Sequence, residues 1–186
     1  VAHQVEVVVL QHPLEVKQAK GTARLLHLSL PHSALVCGEV FTEEILQALI
    51  SAPLQPQARA QVPAQTILLY PDSPQEQALG LPAPPALAPG LLHEPSQLRL
   101  IVLDGTWRKS RKMLYCNPLL QQLPRLALQD MPASHYRIRK AHKPDQLSTL
   151  EATCAALAQL EGDAQTYAPL LAAFDGFVAQ QWDYRA

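Results

Sequence analysis

Asp104, Gly105, Thr106 and Trp107 place a carboxylate, a glycine, a hydroxyl and an indole in consecutive positions directly after the apolar run Leu100-Ile101-Val102-Leu103. Such a run reads as a fully buried strand, so Asp104 stands where a rigid element meets a loop. A carboxylate at that junction can serve as a general base. Gly105 permits a tight turn and lets a ligand approach the backbone. Thr106 offers a hydroxyl at a helix start, and Trp107 offers a flat apolar face to a nucleobase or an adenine ring. The same residues also fit an ordinary helix start, with Asp104 as the cap and Trp107 in the core. A second polar strand end, Tyr70-Pro71-Asp72-Ser73, follows Thr66-Ile67-Leu68-Leu69. In open α/β sheets ligands bind beyond the carboxyl ends of strands, so both ends are candidate ligand turns.

Cations follow at once. Arg108, Arg111 and Lys112 fall three and four apart, on one face of a helix. They read either as a phosphate-contacting ridge or as a solvated face. Further on, Arg137 and Arg139 alternate with Tyr136 and Ile138, as in an extended segment with one cationic side. From Asp104 to Lys143 there are nine Lys/Arg against two acids, a net of +7; the rest of the chain carries −8, and the total is −1. A patch this basic on an acidic protein attracts polyanions, which points to RNA or another phosphate-rich partner. Leu147-Ser148-Thr149-Leu150-Glu151-Ala152 opens a helix whose free N–H groups could hold a carboxylate. Simple capping also accounts for Ser148 and Glu151.

Strands and helices alternate around these residues. Glu6–Leu10 is a β-branched run ended by Gln11-His12-Pro13, and Ser33–Cys37, Thr66–Tyr70, Leu98–Leu103 and Arg125–Leu128 read as further strands. Helices are expected over Ala19–Leu28, over Glu43–Ile50 with Thr42 as cap, from Thr106 or Trp107, over Leu147–Leu160 and over Tyr167–Trp182. The five prolines of Leu81–Pro95 exclude a helix interior or a central strand, leaving a surface loop. The pattern predicts an α/β fold with a mainly parallel sheet and helices on both faces. The length of 186 residues suits a single domain. Cys37, Cys116 and Cys154 are isolated, which supports neither a disulfide framework nor a zinc knuckle and suits the cytoplasm. The seven histidines have no metal-ligand spacing, so no metal is expected. No apolar run spans a membrane, and no protein partner is evident.

The ordered set resembles the DTW-domain proteins. It comprises Gln11-His12-Pro13-x-Glu15, Gly21-Thr22-Ala23-Arg24-Leu25-Leu26, Leu69-Tyr70-Pro71-Asp72, Asp104-Gly105-Thr106-Trp107 with its basic sequel, Ser134-x-Tyr136-Arg137-Ile138-Arg139, and Leu147–Ala152. The likeness covers most of the chain. It implies a tRNA-uridine aminocarboxypropyltransferase that moves the 3-amino-3-carboxypropyl group of S-adenosylmethionine to N3 of a uridine and leaves methylthioadenosine. It also implies a fold related to SPOUT RNA methyltransferases, in which cofactor loops can form a trefoil knot. Under that resemblance Asp104 would be the base for N3 or a clamp on the cofactor, and Trp107 would support the cofactor or a flipped base. Leu69, Tyr70, Pro71, Asp72, Gly105, Thr106, Tyr136, Ser148 and Thr149 would bind S-adenosylmethionine. Arg24, Arg108, Arg111, Lys112, Arg137, Arg139 and Lys140 would hold tRNA phosphates. An S-adenosylmethionine-dependent RNA methyltransferase and a non-catalytic RNA-binding module are the rival readings. Many DTW-domain proteins carry a Cys-rich, zinc-binding stretch before the Gln-His-Pro strand; this sequence has none.

Overall fold

The computed structural model describes residues 1–18, 21–54, 63, 65–71, 80–128 and 147–183. The strands are β1 (Glu6–Gln11), β2 (Ser33–Cys37), β3 (Gln65–Leu69), β4 (Leu98–Asp104) and β5 (Arg125–Leu126). The helices are α1 (Ala23–Ser29), α2 (Glu43–Ser51), α3 (Trp107–Cys116), α4 (Pro118–Gln121), α5 (Thr149–Glu161) and α6 (Ala168–Asp183). The strands form one sheet in the order β2-β1-β4-β3-β5, and every pairing is parallel. Parallel neighbours need crossover connections over a sheet face, which explains the helices on both sides.

All seven residues of β4 are buried. Alternate side chains of a strand point to opposite faces. Val7, Val9, Leu100 and Val102 therefore meet Leu26 of α1, Leu150 and Leu157 of α5, and Phe174 of α6. Val8, Leu10, Ile101 and Leu103 meet Leu46 of α2, Met113 and Leu114 of α3, and Leu120 of α4 on the other side. Full burial stabilises each such side chain by about 1.5–3 kcal/mol, so β4 is anchored from both faces and its last residue, Asp104, is held with it.

The amino ends of the strands have their own polar anchor. Arg99 is wholly buried opposite Glu6 in the β1–β4 register and donates to its carboxylate. It also donates to the Leu49 and Ala52 carbonyls at 2.7 Å each, which satisfies the end of α2. On the far side, Glu161 at the end of α5 accepts the Gln4 and Val5 amides and the Tyr167 hydroxyl. Burial and that carboxylate raise the Tyr167 phenol above its ordinary range.

Most boundaries shift by one or two residues from the sequence expectation, and three differences matter more. The first helix runs over Ala23–Ser29, inside the expected Ala19–Leu28 at its start, and Ala19 and Lys20 lie outside the described residues. The strand expected over Arg125–Leu128 is only two residues long. The proline-rich loop contains two short 3-10 turns, Pro89–His93 and Pro95–Gln97.

Candidate active site at the carboxyl edge of the sheet

Asp104 ends β4 and is only 6% exposed. Its Oδ2 accepts from Gln11 Nε2 at 2.9 Å, and its Oδ1 accepts from the Thr149 hydroxyl at 2.7 Å. Its backbone carbonyl accepts the His12 amide at 2.9 Å. One side chain thus ties the ends of β1 and β4 to the first turn of α5. The helix cap is Thr106, whose hydroxyl accepts the Lys109 amide. The ordinary alternative, with Asp104 as cap and Trp107 as core, is therefore replaced: Asp104 faces across the sheet edge, and Trp107 is 45% exposed.

Gly105 sits close against its neighbours. A Cβ there would lie 3.1 Å from Lys109 Cβ and 3.6 Å from His12 Cβ, so a larger residue would press on the first turn of α3. Trp107 stacks on Tyr70, with ring centroids 5.2 Å apart and planes 17° apart. Tyr70 is buried directly after Leu69 of β3, and the Arg125 guanidinium lies 5.2 Å over its ring. The Trp107 ring is thereby braced from beneath and still presents aromatic surface to solvent. Such stacking and cation–π contacts each contribute on the order of 0.5–1.5 kcal/mol.

A second network borders the first. His12 Nδ1 accepts the Leu14 amide, which puts the ring proton on Nε2; that nitrogen donates to Glu39 at 2.7 Å. The other Glu39 oxygen accepts from Lys112 at 2.8 Å. Lys112, and then His12, hold the Glu39 carboxyl below its usual range, and Glu39 raises the Lys112 ammonium. Lys109 is likewise paired, with Glu15 at 2.8 Å. Asn117 closes the network, donating to the Glu39 carbonyl and accepting the Phe41 amide.

The residues singled out from sequence divide accordingly. Asp104, Gly105, Thr106, Trp107, Leu69, Tyr70, Pro71 and Thr149 all lie at or directly beyond the carboxyl edge. Ser148 is buried in a capping box with Glu151, in which each side chain accepts the other's backbone amide. Arg108 and Arg111 are exposed along α3. Lys112 lies on that face too and is paired with Glu39 at 2.8 Å. Arg24 is exposed in the first turn of α1, next to Thr22, whose hydroxyl accepts the Leu150 amide at 3.3 Å. Asp72, Tyr136, Arg137, Arg139 and Lys140 lie outside the described residues. Among the described residues, no group of three or more His, Cys, Asp or Glu could hold a metal ion, and no helix is long and apolar enough to cross a membrane.

Sequence reasoning missed Gln11, His12, Glu39 and Asn117. Gln11 and His12 carried the same signal as Asp104, polar residues straight after a buried apolar run, and both are buried. Glu39 and Asn117 meet across 78 positions and left no local mark.

A model of the DTW domain matches residues 1–182. The chain belongs to the DTW domain family. This DTW domain is 31% identical over 165 residues to tRNA-uridine aminocarboxypropyltransferase 2 of Drosophila melanogaster, covering 84% of the chain and 56% of that relative. It is 28% identical to proteins of the same name from Macaca fascicularis and Mus musculus, covering 82% of the chain and 47% of each. The chain spans about half the length of these curated relatives. No solved structure matches it significantly.

Proposed function

We propose that this chain, acting as a single domain, transfers the 3-amino-3-carboxypropyl group of S-adenosylmethionine to N3 of a uridine in tRNA and releases methylthioadenosine. The observation that carries the reading is the buried Asp104 carboxylate, fixed between Gln11 and Thr149 beside the exposed, braced face of Trp107. The names of the curated relatives supply the direction in which to read that site.

The reaction forms the N3–Cγ bond and breaks Cγ–S, the bonding pair leaving on sulfur as a neutral thioether while the N3 proton passes to a base or to water. Choosing Cγ over the methyl carbon requires only that the donor be held in the right pose. The residues present suit such a donor: a supported aromatic face for adenine, and residues directly beyond two strand ends, where ligands of open α/β sheets bind. Leu69, Tyr70, Pro71, Gly105, Thr106 and Thr149 would hold it, together with Asp72 and Tyr136, and Ser148 would act through the helix cap. A fold related to SPOUT methyltransferases, with a knotted cofactor loop, belongs to the same proposal.

Of the two roles open to Asp104, both of its oxygens being engaged favours positioning over proton abstraction. Asp104 would keep Thr149 and the α5 terminus at the sheet edge. Arg24, Arg108 and Arg111, with Arg137, Arg139 and Lys140, would hold tRNA phosphates. The uridine must leave its stack to react.

Incubation with S-adenosylmethionine and tRNA, followed by mass spectrometry of both products, tests the proposal. Methylthioadenosine in step with an aminocarboxypropyl-uridine adduct is expected. S-adenosylhomocysteine with a methylated nucleotide would replace the reading by methyl transfer. Tight tRNA binding with no adduct would leave an RNA-binding module.

A further inference from the structure

Tyr115 is 58% exposed, more than Trp107 at 45%, and no role has so far attached to it. It lies two turns along α3 from Trp107. At 100° per residue, Arg108, Tyr115 and Arg111 fall within about 60° of one another, with Trp107 flanking Arg111. All four are exposed. Neither arginine has an acidic partner among the described residues, whereas Lys109 and Lys112 are paired with Glu15 and Glu39. The result is a ridge with aromatic side chains at its two ends and two uncompensated guanidinium groups between them.

We propose that this ridge is the track for a single-stranded RNA segment next to the target uridine, with Tyr115 stacking on one of its bases. Eight residues of helix rise about 12 Å, which is roughly three to four nucleotide steps at stacked spacing. Aromatic faces combined with cations bind unpaired nucleic acid with little regard to sequence, the ring taking a base and the guanidinium a phosphate. The charge complementarity selects a polyanion, and the exposed Tyr115 ring selects one with unpaired bases. The inference rests on the proposed RNA substrate but not on the transfer chemistry.

The test is fluorescence polarisation of the full chain with short, labelled, unstructured oligoribonucleotides over a range of salt. Tyr115→Ala and Tyr115→Leu should weaken binding by at least roughly fivefold, and Tyr115→Phe should retain it. The Tyr115 variants should leave the slope of log affinity against log salt unchanged. Arg108→Ala and Arg111→Ala should each lower that slope by about 0.7, the single-strand value per phosphate. Wild-type affinity for Tyr115→Ala would overturn the proposal. So would loss of self-association in Tyr115→Ala with no change in RNA affinity, which would assign the face to a second copy of the chain. Failure of the transfer reaction alone would leave these binding results standing, so the two proposals fail separately.

Discussion

Gln11 and Asp104 are register partners on adjacent parallel strands, and the Gln11 amide donates to Asp104 Oδ2 at 2.9 Å. Their backbones are fixed by the sheet, so the side-chain contact has little freedom to rearrange. With Thr149 on the other oxygen, Asp104 is held from two directions by residues far away in sequence.

If Asp104 acts by position, Asp104→Asn should keep part of the transfer rate, because an amide can still pair with Gln11 and Thr149. Asp104→Ala should lose nearly all of it and cost about 1–3 kcal/mol of stability through the buried groups left without partners. Rates of methylthioadenosine release and urea unfolding measure the two effects. Equal, complete loss of activity in both variants, with a pH–rate profile missing one ionisation in Asp104→Asn, would instead make Asp104 the base.

Glu39→Gln should tighten tRNA binding at low salt, because it releases Lys112 to the basic face. The slope of log affinity against log salt should steepen by up to about 0.9 if one phosphate is gained. The Glu39 carboxyl is lowered by Lys112 first and His12 second. Its contribution to stability is therefore present above the ordinary carboxylate range and lost as pH falls through its lower folded value. Melting temperatures of wild type and Glu39→Gln should differ at neutral pH and converge in strong acid. An unchanged salt slope would count against Lys112 being restrained.

His3 predicts a separate loss of stability in mild acid. Its Nδ1–H donates to the Val5 carbonyl at 2.8 Å, and its Nε2 accepts the His32 amide at 3.1 Å, so the ring is neutral in the folded chain. Burial, the largest cause, lowers its pKa. The unfolded chain then binds a proton at higher pH than the folded one. Stability should decline as pH falls from about 6.5, the ordinary histidine value, and level off below the folded value. Thermal melts from pH 8 to 5 should show the decline in wild type and a flatter profile in His3→Gln; parallel profiles would remove His3 as the cause.

Arg99→Met should destabilise the fold by about 3–5 kcal/mol, since it strands Glu6 and the last carbonyls of α2. Adding Glu6→Leu should restore much of that. Chemical denaturation gives both numbers. Because Arg99 and Asp104 lie at opposite ends of β4, tRNA affinity measured well below the unfolding transition should not change.

How much of this was legible in the sequence depends on how local each cause is. The buried strands were visible as short β-branched runs, and the caps at Thr42 and Ser148 sat in their expected places. Asp104 and Trp107 were correctly set at a strand end because both consequences follow from the run before them. Pairings across the chain were not visible. Nothing near Lys112 announces Glu39, and nothing near Asp104 announces Gln11, 93 positions away. The helix face alone offered three equivalent cations, and only tertiary contact, the Glu39 pair on Lys112, tells one of them apart. Tyr115 was hidden differently: an aromatic at helical spacing is usually core, and only its exposure in the fold says otherwise.

Glu161 bears on how the protein is made. Its carboxylate accepts the amides of Gln4 and Val5, 157 and 156 positions earlier. At roughly 5–20 residues per second of synthesis, the start of the first strand waits on the order of 8–30 s for that partner. β1 also lacks β4, the central strand beside it, until residue 104 has been made, roughly 5–20 s after its own synthesis, and until then it presents an open, apolar edge. The nascent β1 is thus exposed to mispairing over that interval, and chaperone demand in the cell should track the delay before β4 emerges.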